Sequence, residues 1–261
     1  MRLLGIDTSS KATGLCIFRY DGEDLQGEDN PTILLEEEGV IEGLSIIEQE
    51  RTRAEEMLPK LASLLAEANL SFDDIDGIAV GIGPGSFTGI RIGVTIAKTI
   101  AQFTNKKLLG ISTLEALSYT RLDKTSLIVP VIDARANRIY SAAYLADKDY
   151  EHGLKLLLEE DLYFEEDLVV KIDELVNRFE LPGIYYIGEG VYKHIPLYEQ
   201  SKVPYELATG IETKSAVVEI CKLAAYRYLR EDFDSPLDLR PNYLRKSQAE
   251  MERERNGMQR N

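Results

Sequence analysis

The sequence predicts an α/β fold of two ribonuclease H-like halves, each a mixed sheet flanked by helices, and three observations predict it. Three strand-like stretches open the chain in succession; a continuous apolar strand then feeds a glycine turn and a long helix; and a fainter copy of the opening begins near residue 131. With 261 residues and 44% apolar content, the chain is long and apolar enough to bury a sizeable core.

"RLLGIDTS" (2–9), "TGLCIFRY" (13–20) and "TILLEEEGVI" (32–41) are strand candidates joined by Gly, Asp, Asn and Pro turn residues, which suggests an antiparallel meander. In "RTRAEEMLPKLASLLAEANL" (51–70), Ala54, Met57, Leu58, Leu61, Leu64, Leu65 and Ala68 share one helical face, and Pro59 is expected to kink that helix or mark its start. "IDGIAVGI" (75–82) is apolar throughout, as a strand covered on both faces is. It runs into "GPGSFTG" and a helix over about 88–104, and "KKLLGIS" (106–112) supplies a further strand. Three antiparallel strands, helix, strand, helix, strand is the order of a ribonuclease H-like unit.

The second half repeats the plan. "GIDTSSKATGLCIFRY" from Gly5 and "VIDARANRIYSAAYLA" from Val131 both place Ile-Asp at a strand end before a polar turn and another apolar strand. "GIYYIGEG" (183–190) takes the slot of "GIAVGIGPG", and "TKSAVVEICKLAAYRYLR" (213–230) is a long late helix. Two such units side by side are the plan of the actin-like ATPase and sugar kinase superfamily. The expected division is 1–112 for an N-terminal half, 113–245 for a C-terminal half and 246–261 for a charge-dense tail.

The glycine turn fits no nucleotide fingerprint. Gly83 is followed five residues later by Thr88 with no lysine before Lys98, so it is not a Walker loop, and Ser86 and Thr88 stand where a dinucleotide motif needs glycine. What remains is a tight strand-to-helix turn in which Ser86 or Thr88 caps the helix. In that helix Gly89, Ile90, Ile92, Gly93, Val94, Ile96, Ala97, Ile100, Ala101 and Phe103 cover roughly 200° of the circumference, twice the stripe one packing face requires. The helix is therefore expected to touch its own sheet and something else. Gly89, Gly93, Ala97 and Ala101, at intervals of four, form a smooth ridge for close helix approach, either by a helix of another chain or by this chain's own sheet or 51–70 helix.

Catalytic chemistry is sparse. The only two histidines, His152 and His194, lack second ligands at metal spacing. Asp7 and Asp133 stand at equivalent strand ends, where actin-like kinases and ribonuclease H-like nucleases place metal-binding carboxylates; the plain alternative for Asp7 is a capping role in "DTSS". A net charge of −15 repels phosphate backbones and argues against a nuclease. Cys16 and Cys221 read as small buried apolar residues of a reducing compartment, and no run of about 18 apolar residues marks a membrane span. A free-standing actin-like ATPase or small-molecule kinase is the rival to a binding protein.

"LGIDTSSKATGLCIF", "GIGPGSFTGIRIGVTIAK" and "PVIDARANRIYSAAY", with "YLRKSQAE" near the end, resemble the TsaB family. The resemblance covers most of residues 1–145 and the stretch 243–250, and Gly-Pro-Gly-Ser-Phe-Thr-Gly is its hallmark. It implies a cytoplasmic, non-catalytic subunit that pairs with TsaD, the catalytic subunit transferring threonylcarbamoyl to the adenosine beside the anticodon of tRNAs. It further implies an ATPase subunit, TsaE, that joins the pair; a homodimer in isolation; tRNA contact only through the complex; and no cofactor in this chain alone, with room left for a nucleotide between subunits. TsaD-like enzymes carry His-x-x-x-His on the helix matching 51–70, where this sequence has Arg51, Arg53 and Glu55 and no histidine. By resemblance the partner interface is formed by the helices at 51–70 and 88–104, through Ala54, Met57, Leu61, Leu65, Gly89, Ile90, Gly93, Val94, Ala97 and Ala101.

Overall fold

The computed structural model describes residues 1–22, 39–48, 54–147, 150, 152–210 and 214–244. Strands β1 (Arg2–Asp7), β2 (Ala12–Tyr20) and β3 (Gly39–Glu48) form the antiparallel meander. The third strand runs from 39 to 48 rather than from 32 to 41; residues 32–38 of the expected strand lie outside the described residues. Helix α1 (Ala54–Glu67) follows, with Pro59 inside it rather than at its start. Then come β4 (Gly77–Gly83), α2 (Phe87–Thr104) and β5 (Lys107–Ser112), with β4 parallel to both β1 and β5. The first sheet has the order β3-β2-β1-β4-β5.

Helix α3 (Thr113–Tyr119) leads into the second half: β6 (Leu127–Asp133), β7 (Arg138–Ala146), β8 (Leu154–Phe164), α4 (Glu165–Arg178), β9 (Ile184–Ile187), a short 3-10 turn, α5 (Ile195–Tyr198) and β10 (Tyr205–Leu207). Its sheet order is β10-β9-β6-β7-β8, with β6–β7 and β7–β8 antiparallel and β6–β9 and β9–β10 parallel. Substituting β6 to β10 for β1 to β5 turns one sheet into the other, so the repeat read from two Ile-Asp strand ends extends to the whole topology. Helices α3, α4 and α5 and strands β8 and β10 have no counterpart in the expectation from sequence.

Strand alternation divides the core into layers. On β1 and β4, Leu3 and Ala79 face the centre while Leu4, Ile6, Ile78 and Val80 face α1 and α2. On β6, Ile128 and Ile132 face the centre while Leu127, Val129 and Val131 meet Leu168, Ile172 and Val176 of α4. The central layer is filled by α3 and by the last helix, α6 (Val217–Leu229), which lies on the first sheet although it is more than 200 residues from β1 in sequence. This places Cys221 of α6 in one fully buried cluster with Cys16 of β2, both as free thiols. Its hydrogen bond to Cys16 and its burial push the Cys221 thiol well above the ordinary cysteine range.

Candidate functional site

The glycine turn and its helix meet the turn between β1 and β2. Gly83 and Gly85 adopt φ of 102° and 157°, and the Ser86 N–H then donates to Ser9 O at 2.6 Å while its own hydroxyl accepts from Gly89 N at 3.3 Å, capping α2. A Cβ on Gly89 would lie 2.0 Å from Thr8 O, and one on Gly93 2.3 Å from Thr8 Oγ1. Thr8 in turn donates its hydroxyl to Gly89 O at 2.7 Å. The close approach that the glycine ridge permits is therefore made to the β1–β2 turn of the same chain.

The residues expected at the partner interface divide by burial. Met57, Leu61, Leu65, Gly89, Ile90, Gly93, Val94, Ala97 and Ala101 are all buried in the chain's own core beneath α1 and α2, and of the ten residues Ala54 alone is exposed. The physical reason is phase: both arcs of α2 are apolar, and the arc with the glycines is the one that can come within reach of Thr8. The other arc faces outward. Ile92 and Ile96 are partly buried, Phe103 is 86% exposed, and on α1 Leu58 is 54% exposed. Between the two helices runs a groove of about 320 Å³ lined by Ala54, Phe87, Thr88, Arg91, Ile92, Thr95 and Ile96. Ile92, Ile96 and Phe103, spaced at helical intervals, were the signal for this face within the wide apolar arc. Tyr243, which stacks on Phe87 with ring centroids 4.8 Å apart, had no such signal because it comes from the far end of the chain.

The carboxylates at the strand ends have separate surroundings. Asp7, 1% exposed, accepts from Ser9 N at 3.0 Å and Ser9 Oγ at 2.6 Å on one oxygen, and from Ser215 Oγ at 2.7 Å and Ala216 N at 3.1 Å on the other. Its lone-pair sites are thus filled by this chain. Asp133 accepts from Arg135 N at 2.9 Å and Lys193 Nζ at 2.6 Å. Burial pushes its pKa up, but these donors outweigh burial and hold the carboxyl below its usual range. His194, 3% exposed, sets Nδ1 2.8 Å from Glu165 Oε1, and His152 sets Nε2 2.7 Å from Glu115 Oε1, so the two histidines serve different carboxylates. Among the described residues no group of three or more His, Cys, Asp or Glu side chains is arranged to hold a metal ion.

Glu189, which the sequence reading missed, accepts from Lys11 N at 3.4 Å across the two halves. Burial, with Asp133 and Asp7 adding repulsion, raises its pKa above the ordinary glutamate range. The folded state therefore holds this proton to higher pH than the unfolded chain, so the associated stability is present below the unfolded value and is lost as pH rises through the folded one. Glu189→Gln is expected to flatten the decline in stability as pH rises above the ordinary glutamate value; urea unfolding at several pH values measures it, and an unchanged slope contradicts it.

A family model described as "TsaD: tRNA N6-adenosine threonylcarbamoyltransferase" matches residues 45–180, just over half of the chain. The Haemophilus influenzae protein named tRNA threonylcarbamoyladenosine biosynthesis protein TsaB is 26% identical over 94% of each chain. A tRNA N6-adenosine threonylcarbamoyltransferase of a Methylobacterium species is 34% identical, over 46% of this chain and 35% of its own length. Among solved structures, YeaZ from Pseudomonas aeruginosa superposes with a TM-score of 0.69 at 22% identity, covering 93% of this chain and 99% of that one. The duplicated ribonuclease H-like fold and the match over residues 45–180 thus place this protein in the class that the family model describes. The chain belongs to that family and, within it, to the TsaB proteins.

Proposed function

We infer that this chain acts in tRNA threonylcarbamoyladenosine biosynthesis as a non-catalytic scaffold that pairs with the catalytic subunit, TsaD, through the outer face of α1 and α2. The observation that carries the reading is the apolar groove between those helices, continued by Ile96 and Phe103, on a helix whose other face is already committed to the core. An apolar surface of this kind on a charged protein fits a protein partner. Supporting it are the absence of histidine from residues 51–70, the hydrogen-bonded saturation of Asp7, and a charge of −15 that leaves tRNA to be held by the rest of the complex. The same reading has the ATPase subunit TsaE joining the assembled pair, self-pairing through this face when the chain is alone, and a cytoplasmic setting. Among the described residues no helix is long and apolar enough to cross a membrane.

The test is binding and transfer with purified subunits. Threonylcarbamoyl transfer by TsaD is expected to depend on the chain, and Ile96→Asp to weaken binding about 30-fold with the chain still folded in thermal melts, because a half-buried aspartate keeps part of its water in the free chain and loses it in the complex. Wild-type affinity in Ile96→Asp, or nucleotide turnover by the chain alone at enzymatic rates, overturns the reading.

A further inference from the structure

Among the described residues, no carboxylate neutralises the cation that lines the α1–α2 groove. Arg2, Arg19, Lys124, Lys193 and Arg227 each sit on a carboxylate. Arg91 is exposed and forms no ion pair among the described residues, in a chain with 45 acidic side chains against 30 basic ones. Its guanidinium lies over the Phe87 ring, 5.1 Å from the centroid, and Phe87 also stacks on Tyr243 at 4.8 Å with 27° between the planes. Tyr243 is itself held: Asn242 N donates to Ile82 O at 2.8 Å and Lys98 Nζ to Leu239 O at 2.9 Å, with the Leu239 side chain buried against the outer core. Arg91 is therefore positioned by a stack whose far layer is fastened to the first sheet, and little of its rotamer freedom remains to be lost on docking.

We propose that the groove receives an apolar helix of the catalytic partner bearing a carboxylate, and that an ion pair from this carboxylate to Arg91 is the specificity element of the contact. The inference rests on the reading of the α1–α2 face as the meeting place of the two subunits. Covering Arg91 with a purely apolar surface would strip a charge of water without compensation, so such a partner is rejected; a carboxylate converts the same burial into a charge-assisted, bidentate bond. The planar guanidinium both stacks on Phe87 and presents two parallel donors, which an ammonium does not. A second copy of this chain brings another Arg91 to the groove and is the less favourable occupant.

The experiment is calorimetric titration of the full chain with the purified TsaD subunit at low and at physiological salt, with thermal melts of each variant. Arg91→Ala is expected to weaken binding about tenfold and Arg91→Glu about a hundredfold, with Arg91→Lys recovering only part of the loss and all melts unchanged. The salt dependence of binding should shrink in Arg91→Ala. A carboxylate-to-arginine change on the partner helix should restore Arg91→Glu. If Arg91→Glu binds like the wild type while Ile96→Asp does not, the interface stands and the proposal falls. If both bind like the wild type, the interface reading itself falls. If Arg91→Glu changes only self-association in sedimentation, the occupant is a second copy and the proposal is overturned.

Discussion

Asp7→Ala is expected to cost about 4 kcal/mol of folding stability, since each hydrogen bond to a buried charged group contributes about 1.5 to 3 kcal/mol and its loss orphans the donors. Four donors converge on this carboxylate, and two of them, Ser215 Oγ and Ala216 N, sit just ahead of α6 and more than 200 residues from Asp7 in sequence. The aspartate is thus what ties the end of β1 to the start of the helix that fills the central layer. Asp7→Asn keeps the shape but turns an amide toward donors, so about half of the loss is expected. Urea unfolding measures both. A metal-binding or catalytic aspartate behaves in the opposite way, because removing it relieves repulsion and leaves stability unchanged or raised. An Asp7→Ala chain as stable as the wild type would refute the structural role.

Gly89→Ala is expected to cost about 3 kcal/mol through overpacking, lowering the melting temperature by about 6 to 12 °C for a chain of this size. The obstacle is a backbone carbonyl, Thr8 O, at 2.0 Å from the new carbon, and a carbonyl at a strand end cannot swing aside. At Gly93 the obstacle is the Thr8 hydroxyl at 2.3 Å, so Gly93→Ala should cost less, about 2 kcal/mol, and Thr8→Ala should rescue much of it. Thr8→Ala should not rescue Gly89→Ala. Were the ridge an exposed docking surface, alanine at either position would stabilise the helix by about 1 kcal/mol, and thermal melts separate the two results.

The sequence carried β1, β2, β4 and β5 and the duplication clearly, because well-buried strands leave apolar runs and the Ile-Asp turns recur, whereas the half-exposed β3 was misplaced. It also carried the two-sided character of α2, whose apolar arc is twice as wide as one contact needs. It could not carry the phase. Periodicity assigns residues to faces of a helix without saying which face turns inward, and here the decision falls to Thr8, 81 residues before Gly89. The glycines read as a docking ridge for the same reason that they pack inside: each permits close approach, and only the fold names what approaches. The partners of Tyr243, Ser215 and Cys221 were illegible for a related reason, since they lie in the first half of the chain, although the burial of Cys221 itself was expected. The stretch "LKLLLEEDLYF" of β8 escaped because glutamates interrupt its apolar pattern at a sheet edge that is only half buried.

The duplicated topology bears on what this chain can build. Between β4 and β5 the first half has the 18-residue α2; between β9 and β10 the second half has only a 3-10 turn and the four-residue α5. The two halves share a plan but do not offer the same surface at this place, so the contact proposed for α1 and α2 has no counterpart between β9 and β10. A filament would require complementary contacts at both ends, repeated head to tail. With that helix shortened in the second half, a contact made through α1 and α2 as proposed has no repeat at the matching place, which fits a closed complex rather than a polymer.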